Sequence, residues 1–217
     1  MNNGLLQLIS ERAVDEGRRR IHGVVIGIVT NNTDDPDGLG RVKVRFPWLS
    51  DRDDSFWARV ATLMAGPDRG LYFLPEVDDE VLVLFEHGDV RFPYVIGSLW
   101  NGKDKAPADN GNGKNDVRVI KSRSGHVIKL NDAEGNETVE IVAAGGKNRV
   151  VIDTASNTIT VTSGKDIVLE ARQGTITLDA KSIDIKSSTN AHIKASGSMT
   201  AEAGGAMAVR GAIVNIN

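Results

Sequence analysis

The chain has 217 residues, 40% hydrophobic and 25% charged, with 26 Lys+Arg against 29 Asp+Glu. That length holds one large domain or two small ones, and the mildly acidic balance supplies no global basic field for nucleic acid. With no cysteine, disulfides, thiolate catalysis and Cys-based zinc sites are excluded together, and the longest apolar run, Val24-Val25-Ile26-Gly27-Ile28-Val29, is far too short to cross a bilayer.

Residues 1–20 read as a short helix or docking segment. Leu5, Ile9 and Ala13 fall on one face, Glu11, Arg12, Asp15 and Glu16 elsewhere, and Gly17 with three arginines ends it. No signal-peptide core precedes it, so synthesis in the cytoplasm is expected. Residues 21–104 read as all-β, with strands predicted at His22–Thr30, Arg41–Phe46, Phe56–Thr62, Glu80–Phe85 and Arg91–Ser98. The first two are joined by Asn-Asn-Thr-Asp-Asp-Pro-Asp-Gly and the last two by Glu86-His87-Gly88-Asp89, both strong turn signals. Five antiparallel strands in about eighty residues suit a small barrel of the OB type. The segment Leu63 to Asp79 holds Gly66, Pro67, Gly70 and Pro75, which predicts an ordered loop there and no helix. A polar stretch from Asn101, rich in Gly, Asn, Asp and Lys, marks a linker whose bounds are set at 105–118.

From residue 119 onward, and most regularly from Arg149, apolar residues recur in pairs two apart. These are Val150/Ile152, Ile159/Val161, Ile167/Leu169, Ile176/Leu178, Ile183/Ile185, Ile193/Ala195, Met199/Ala201, Met207/Val209 and Val214/Ile216. Spacing two is the period of a strand, and the pairs repeat roughly every eight residues, as in a repeat architecture. Small or turn-forming residues separate them: Ser156-Asn157, Ser163-Gly164, Gln173-Gly174, Ala180-Lys181, Gly197, Gly204-Gly205 and Gly211. One such strand cannot bury its own pair; stacked strands can, around a shared axis. Residues 119–217 therefore read as a β-helix needle. Periodicity leaves open whether one chain coils alone, three chains intertwine, or the segment is a run of meander hairpins.

Catalytic and metal signatures are missing. His22, His87, His126 and His192 are scattered, and none has a partner at metal-ligand spacing. There is no nucleophile elbow, P-loop or dinucleotide fingerprint, and Ser124-Gly125-His126 reads as a corner entering a strand. Asp34, Asp35 and Asp37 lack the distal Glu of a calcium loop and read as a solvated turn. No cofactor, no catalytic residue and no metal ligand is expected. Within residues 21–104 eight basic residues face fourteen acidic ones, which opposes phosphate binding by the barrel. Clusters at Asp51, Asp53 and Asp54 and at Glu76, Asp78, Asp79 and Glu80 are candidates for contact with a partner protein.

Four strings carry a resemblance: Gly40–Trp48 (GRVKVRFPW), Ser55–Ala61 (SFWARVA), Tyr72–Gly102 (YFLPEVDDEVLVLFEHGDVRFPYVIGSLWNG) and Ile120–Asp132 (IKSRSGHVIKLND). They resemble the VgrG spike proteins of type VI secretion and the gpV-like baseplate assembly proteins of contractile phage tails. The resemblance implies a non-enzymatic homotrimer, an OB-fold followed by a triangular, intertwined β-helix that pierces an envelope when a sheath contracts. Starting close to the barrel, the chain is nearer the short gpV-like form, in which separate baseplate proteins are expected to supply the hub. The trimer core is then assigned to Ile152, Val161, Leu169, Leu178, Ile185 and Ile193. A PAAR-like tip protein is expected on Val214, Asn215, Ile216 and Asn217, with no His-x-His metal motif there. Hexameric tube or baseplate proteins are expected at the acidic loops of the barrel, and the particle would meet a target membrane only on puncture. The competing reading is an OB-fold nucleic-acid or carbohydrate binder with a β-solenoid extension.

Overall fold

The computed structural model describes residues 20–49 and 54–216. The predicted helix from Asn3 lies outside the described residues, apart from Arg20 at its end. Two units divide at Gly164: residues up to Gly164 form the first and Lys165–Asn217 the second.

The first unit holds two sheets and a small hairpin. Strands β1 (Val25–Asn31), β2 (Lys43–Arg45), β3 (Arg59–Val60), β6 (Glu80–Phe85) and β7 (Pro93–Ser98) pair in the order β2-β1-β6-β7-β3. β3 runs parallel to β7, while the residues before it bridge back to the opposite edge at Val42–Ala58 and Arg45–Asp54. The sheet thus curls into an OB-like half-barrel with its two edges linked. Alternation explains which side faces in. In β6, Val81, Val83 and Phe85 are buried while Glu80, Leu82 and Leu84 are only partly covered. With Val29, Val42, Val44, Phe46, Ala58 and Val95 they make the core, and Phe46 meets Phe85 edge-on at 5.5 Å.

Residues 63–79, expected as a loop, include the hairpin β4 (Ala65–Gly66) and β5 (Arg69–Gly70). Its reversal through Pro67-Asp68 uses left-handed backbone at Asp68 (φ 51). At Gly70 (φ 147), a Cβ would stand 2.4 Å from the Met64 carbonyl oxygen, so only glycine fits.

Strands β8 (Val117–Lys121), β9 (Val127–Asn131), β10 (Thr138–Val142), β11 (Arg149–Asp153) and β12 (Thr158–Thr162) form an antiparallel meander in sequence order. The needle predicted for 119–217 therefore starts, within one chain, as hairpins. The reason is local: loops of four to six residues rich in Gly and Asn reverse the chain, as at Gly135 (φ 75) and Asn157 (φ 52). β8 also starts two residues inside the expected linker.

In the second unit no strand ladder forms among the described residues. Runs without assigned secondary structure are separated by turns or bends at 164–165 on its boundary and at 172–174, 181, 188–189, 196–197, 204–205 and 212–213. The expected corners at Ser163-Gly164, Gln173-Gly174, Ala180-Lys181, Gly197 and Gly204-Gly205 coincide with these bends. The last bend falls just beyond Gly211, and the bend at Ser188-Thr189 has no glycine to announce it.

Candidate functional site

The apolar pairs of the sequence lie on two surfaces. Register places Ile120, Ile128, Ile141, Val150 and Val161 in one row across β8–β12, and Leu130, Val139, Ile152 and Ile159 in the next row on the same face. That face is open: Ile141 is 54% exposed, Ile159 71% and Val161 58%. The opposite face carries Lys129 and Glu140, whose charged groups stand 3.4 Å apart, and the threonines of β10 and β12. Ile152 and Val161 therefore share one aliphatic face of the meander. Leu169, Leu178, Ile185 and Ile193 belong to the second unit and are all exposed, from 65% at Leu178 to 79% at Ile193. Val214 and Ile216 are exposed as well; Asn217 lies outside the described residues.

The acidic loops are tied to their own surroundings. Asp51 and Asp53 lie outside the described residues, and Asp54 forms the bridge to Arg45. The Asp79 carboxylate accepts the Glu76 amide at 2.8 Å, closing the turn into β6, and Asn101 Nδ2 donates to Glu80 at 3.3 Å. Asp78 adopts left-handed backbone (φ 76) and its amide donates to the Val29 carbonyl. Glu76 accepts from Arg123 of the β8–β9 turn at 2.9 Å, a link between the half-barrel and the meander.

Asp35 organises the β1–β2 loop. Its carboxylate accepts from the Arg41 guanidinium and from the amides of Leu39, Arg41 and Asp37. The Arg41 bonds, reinforced by those amides, hold its carboxyl well below the usual carboxylate range. A guanidinium thus occupies the place a cation would take among these aspartates. Arg91 similarly holds Asp89 down to about 2 through side-chain hydrogen bonds. Both folded values lie below the ordinary 3.8, so the unfolded chain binds more protons as pH falls. Their stabilisation is complete above about pH 4 and is lost as pH drops from there towards their folded values. Trp48, Trp57 and Trp100, the chain's three tryptophans, all lie in residues 21–104 and report on this module. Asp35→Asn is expected to lower the fluorescence melting temperature by a few degrees at pH 7 and to flatten its fall between pH 4 and pH 2.5.

Among the described residues no group of three or more His, Asp and Glu side chains could hold a metal ion. His126 accepts the Ala144 amide at Nδ1, 3.1 Å away, bracing two turns of the meander; His22 packs beside Gly88.

Sequence reasoning missed a groove of about 260 Å³ lined by Arg41, Phe56, Trp57, Arg59, Arg91, Phe92, Pro93 and Tyr94. Cations sit over its rings: Lys43 on Trp57 at 5.4 Å, Arg59 on Tyr94 and Arg91 on Phe92 at 5.7 Å each. Asp35 and Asp37 engage Arg41, Asp89 engages Arg91, and Tyr94 donates to Glu86, so the groove is close to electroneutral. The one signal for it in the sequence is the spacing of two between Trp57 and Arg59. Beyond Val60 a larger cavity of about 500 Å³ lies under β4–β5, bordered by exposed Met64, Leu71, Tyr72 and Phe73.

The curled sheet of residues 25–98 coincides with the segment matched by one protein family, the type VI secretion system/phage-baseplate injector OB domain, at residues 25–100. The chain is also similar over part of its length to curated type VI secretion system spike proteins. Type VI secretion system spike protein VgrG1a of Pseudomonas aeruginosa is 30% identical over 131 residues, 55% of this chain and 20% of that protein. VgrG2a of the same organism is 37% identical over 97 residues, 42% of this chain and 12% of the relative. VgrG3 of Vibrio cholerae is 40% identical over 75 residues, 33% of this chain and 7% of the relative. The chain thus spans a small part of each relative's length.

Proposed function

We propose that the chain is a homotrimeric, non-enzymatic spike at the end of a contractile tail tube, which punctures a target envelope and carries a tip protein. The observation that carries this reading is the second unit. Its backbone turns or bends about every eight residues and exposes every large aliphatic side chain, with no ladder among the described residues. Backbone without ladder partners has no independent stability in water. Three intertwined copies would pair those backbones and bring Leu169, Leu178, Ile185 and Ile193 to a common axis. The mechanism is mechanical: shared ladders between chains resist peeling because many bonds must break together. Light scattering at micromolar concentration tests this, with three times the chain mass expected and the single-chain mass overturning it.

The half-barrel would meet hexameric tube or baseplate proteins through the loops of Asp51–Asp54 and Glu76–Glu80. Because Glu76, Asp79 and Glu80 also build their own turns, the cleaner substitutions are Asp51, Asp53, Asp54 and Asp78 to Asn. Docking onto the tube is expected to slow about tenfold at low salt, with a weaker salt dependence, since rim charges act mainly on association. Rates unchanged at every ionic strength would remove these loops from the contact.

The aromatic groove favours a second reading, a carbohydrate-binding barrel with a β-solenoid extension. Stacking platforms beside paired guanidinium and carboxylate groups suit a neutral, polyhydroxylated ligand better than a polyanion. Titration with neutral oligosaccharides and single-stranded oligonucleotides, read by Trp57 fluorescence, separates this reading from the spike.

A further inference from the structure

We infer that residues 3–17 dock as an amphipathic helix on the outer face of the half-barrel, within their own chain. The contact belongs to the half-barrel alone and does not depend on the needle. A strand with one face in water sets apolar residues inside and polar ones outside, as β2 does with Val44 between Lys43 and Arg45. β1 and β6 break that rule. Their inward residues Gly27, Val29, Val81 and Val83 are buried, and the residues alternating with them on the outer face include Ile26, Ile28, Leu82 and Leu84. Register sets Ile26 beside Leu82, so these four side chains form one aliphatic panel. Strands apolar on both faces are strands covered on both faces. Ile26 is nonetheless 48% exposed, and Val24 just before β1 is 53% exposed.

The path of the chain says what covers the panel. Residues 3–17 lie outside the described residues, and the segment that follows them is anchored at one end of β6. There the Ile21 amide donates to the Gly88 carbonyl at 2.9 Å, and Ile21 packs on the core. Only His22, Gly23 and Val24 separate this anchor from β1, and the chain bends at Gly23 (φ 92). Consecutive elements joined by so short a link usually pack side by side. A helix of residues 3–17 would measure roughly 22 Å at ~1.5 Å per residue. The seven residues of β1 measure roughly 23 Å at ~3.3 Å each, so the helix would span the panel from end to end. Leu5 and Ile9 would then lie towards Ile28, and Ala13 nearer Ile26. Charge agrees at the anchored end. Arg18 and Arg19 would reach the turn that carries Glu86 and Asp89, where Arg20 already lies against Gly88. So short a leash also holds the segment at a millimolar or higher effective concentration, which favours it over a second copy of the chain.

A double-mutant cycle on the full chain tests this, read by the melting midpoint in tryptophan fluorescence. Leu5→Gln with Ile9→Gln is expected to lower the midpoint by about 4–8 °C. Ile26→Gln with Ile28→Gln should lower it by at least as much. All four substitutions together should lower it no further than the panel pair alone, because residues in contact do not act additively. Hydrogen exchange should find the amides of residues 5–13 protected in the wild type and open in the panel variant. Additive shifts, or a Leu5 and Ile9 variant that melts like wild type, overturn the docking. Light scattering decides whose panel is covered. Equal masses for all four chains are expected; a lower mass in either pair assigns the panel to a second copy and overturns the contact within the chain. The wild-type mass itself bears on the needle and leaves this contact untouched.

Discussion

A Leu178→Asp chain is expected to stay monomeric at concentrations where the wild type is fully trimeric. Leu178 lies in the second unit, between the turn at 172–174 and the bend at 181, and is 65% exposed in one chain. In the proposed needle its three copies meet at the axis, so one substitution buries three carboxylates in a single layer. Each desolvated charge costs several kcal/mol even after relaxation, and the three repel one another. A Leu178→Ala chain loses burial instead, about 2–5 kcal/mol per site, and should trimerise more weakly without being abolished. Acid separates the two variants further. Clustered carboxyls resist ionisation, so lowering the pH should restore the aspartate trimer and leave the alanine variant unchanged. Light scattering and heat-resistant migration read both. An aspartate variant that trimerises at pH 7 would place Leu178 on the outer face and overturn the register of the whole second unit.

What could be read from the sequence depended on how local each cause was. Glu80–Phe85 was legible to the residue because alternation and the flanking turns act within a few positions. The Asn-Asn-Thr-Asp-Asp-Pro-Asp-Gly turn was legible as a turn, while its locking by Arg41 on Asp35 was hidden: an alternating strand cation gives no hint of its partner. β4 and β5 have two residues each, too few to show a period, and only their Pro67-Asp68 reversal carries a signal. The aromatic groove draws on the β1–β2 loop, the run into β3 and the start of β7, so its residues meet only when the sheet curls. In the meander, spacing two is common to hairpins and to coils, and only the loop lengths separate them. The second unit shows both limits together. Its octad was visible, but the bend at Ser188-Thr189, with no glycine to announce it, was not.

Gly27→Ala is expected to lower the melting temperature of the half-barrel, and Gly97→Ala, the same change in the same sheet, is not. Gly27 is buried in β1, opposite Val81 of β6. A Cβ there would stand 2.2 Å from Val44 Cγ1 and 3.2 Å from both the Arg45 carbonyl oxygen and Phe46 Cδ1. Val44 is fully buried and β-branched, so it has no free rotamer to turn into. Phe46 is pinned in turn against Phe85. The remaining response is to part β1 from β2, where the register already shifts between Val29 and Asn31. Overpacking of this kind costs about 1–3 kcal/mol, and more when backbone must move. Replacing a strand glycine returns only about 0.5–1 kcal/mol of chain entropy, so the clash wins. Gly97 in β7 has nothing within 4 Å of its Cβ position, and there the entropy gain stands alone. For a module of about eighty residues each kcal/mol moves the midpoint by about 4–8 °C. Gly27→Ala should therefore melt about 5–15 °C lower by tryptophan fluorescence of the full chain, and Gly97→Ala at or slightly above wild type. Equal midpoints for the two variants would mean that β1 does not pass this close to β2, and the half-barrel would need a different packing of Val44 and Phe46.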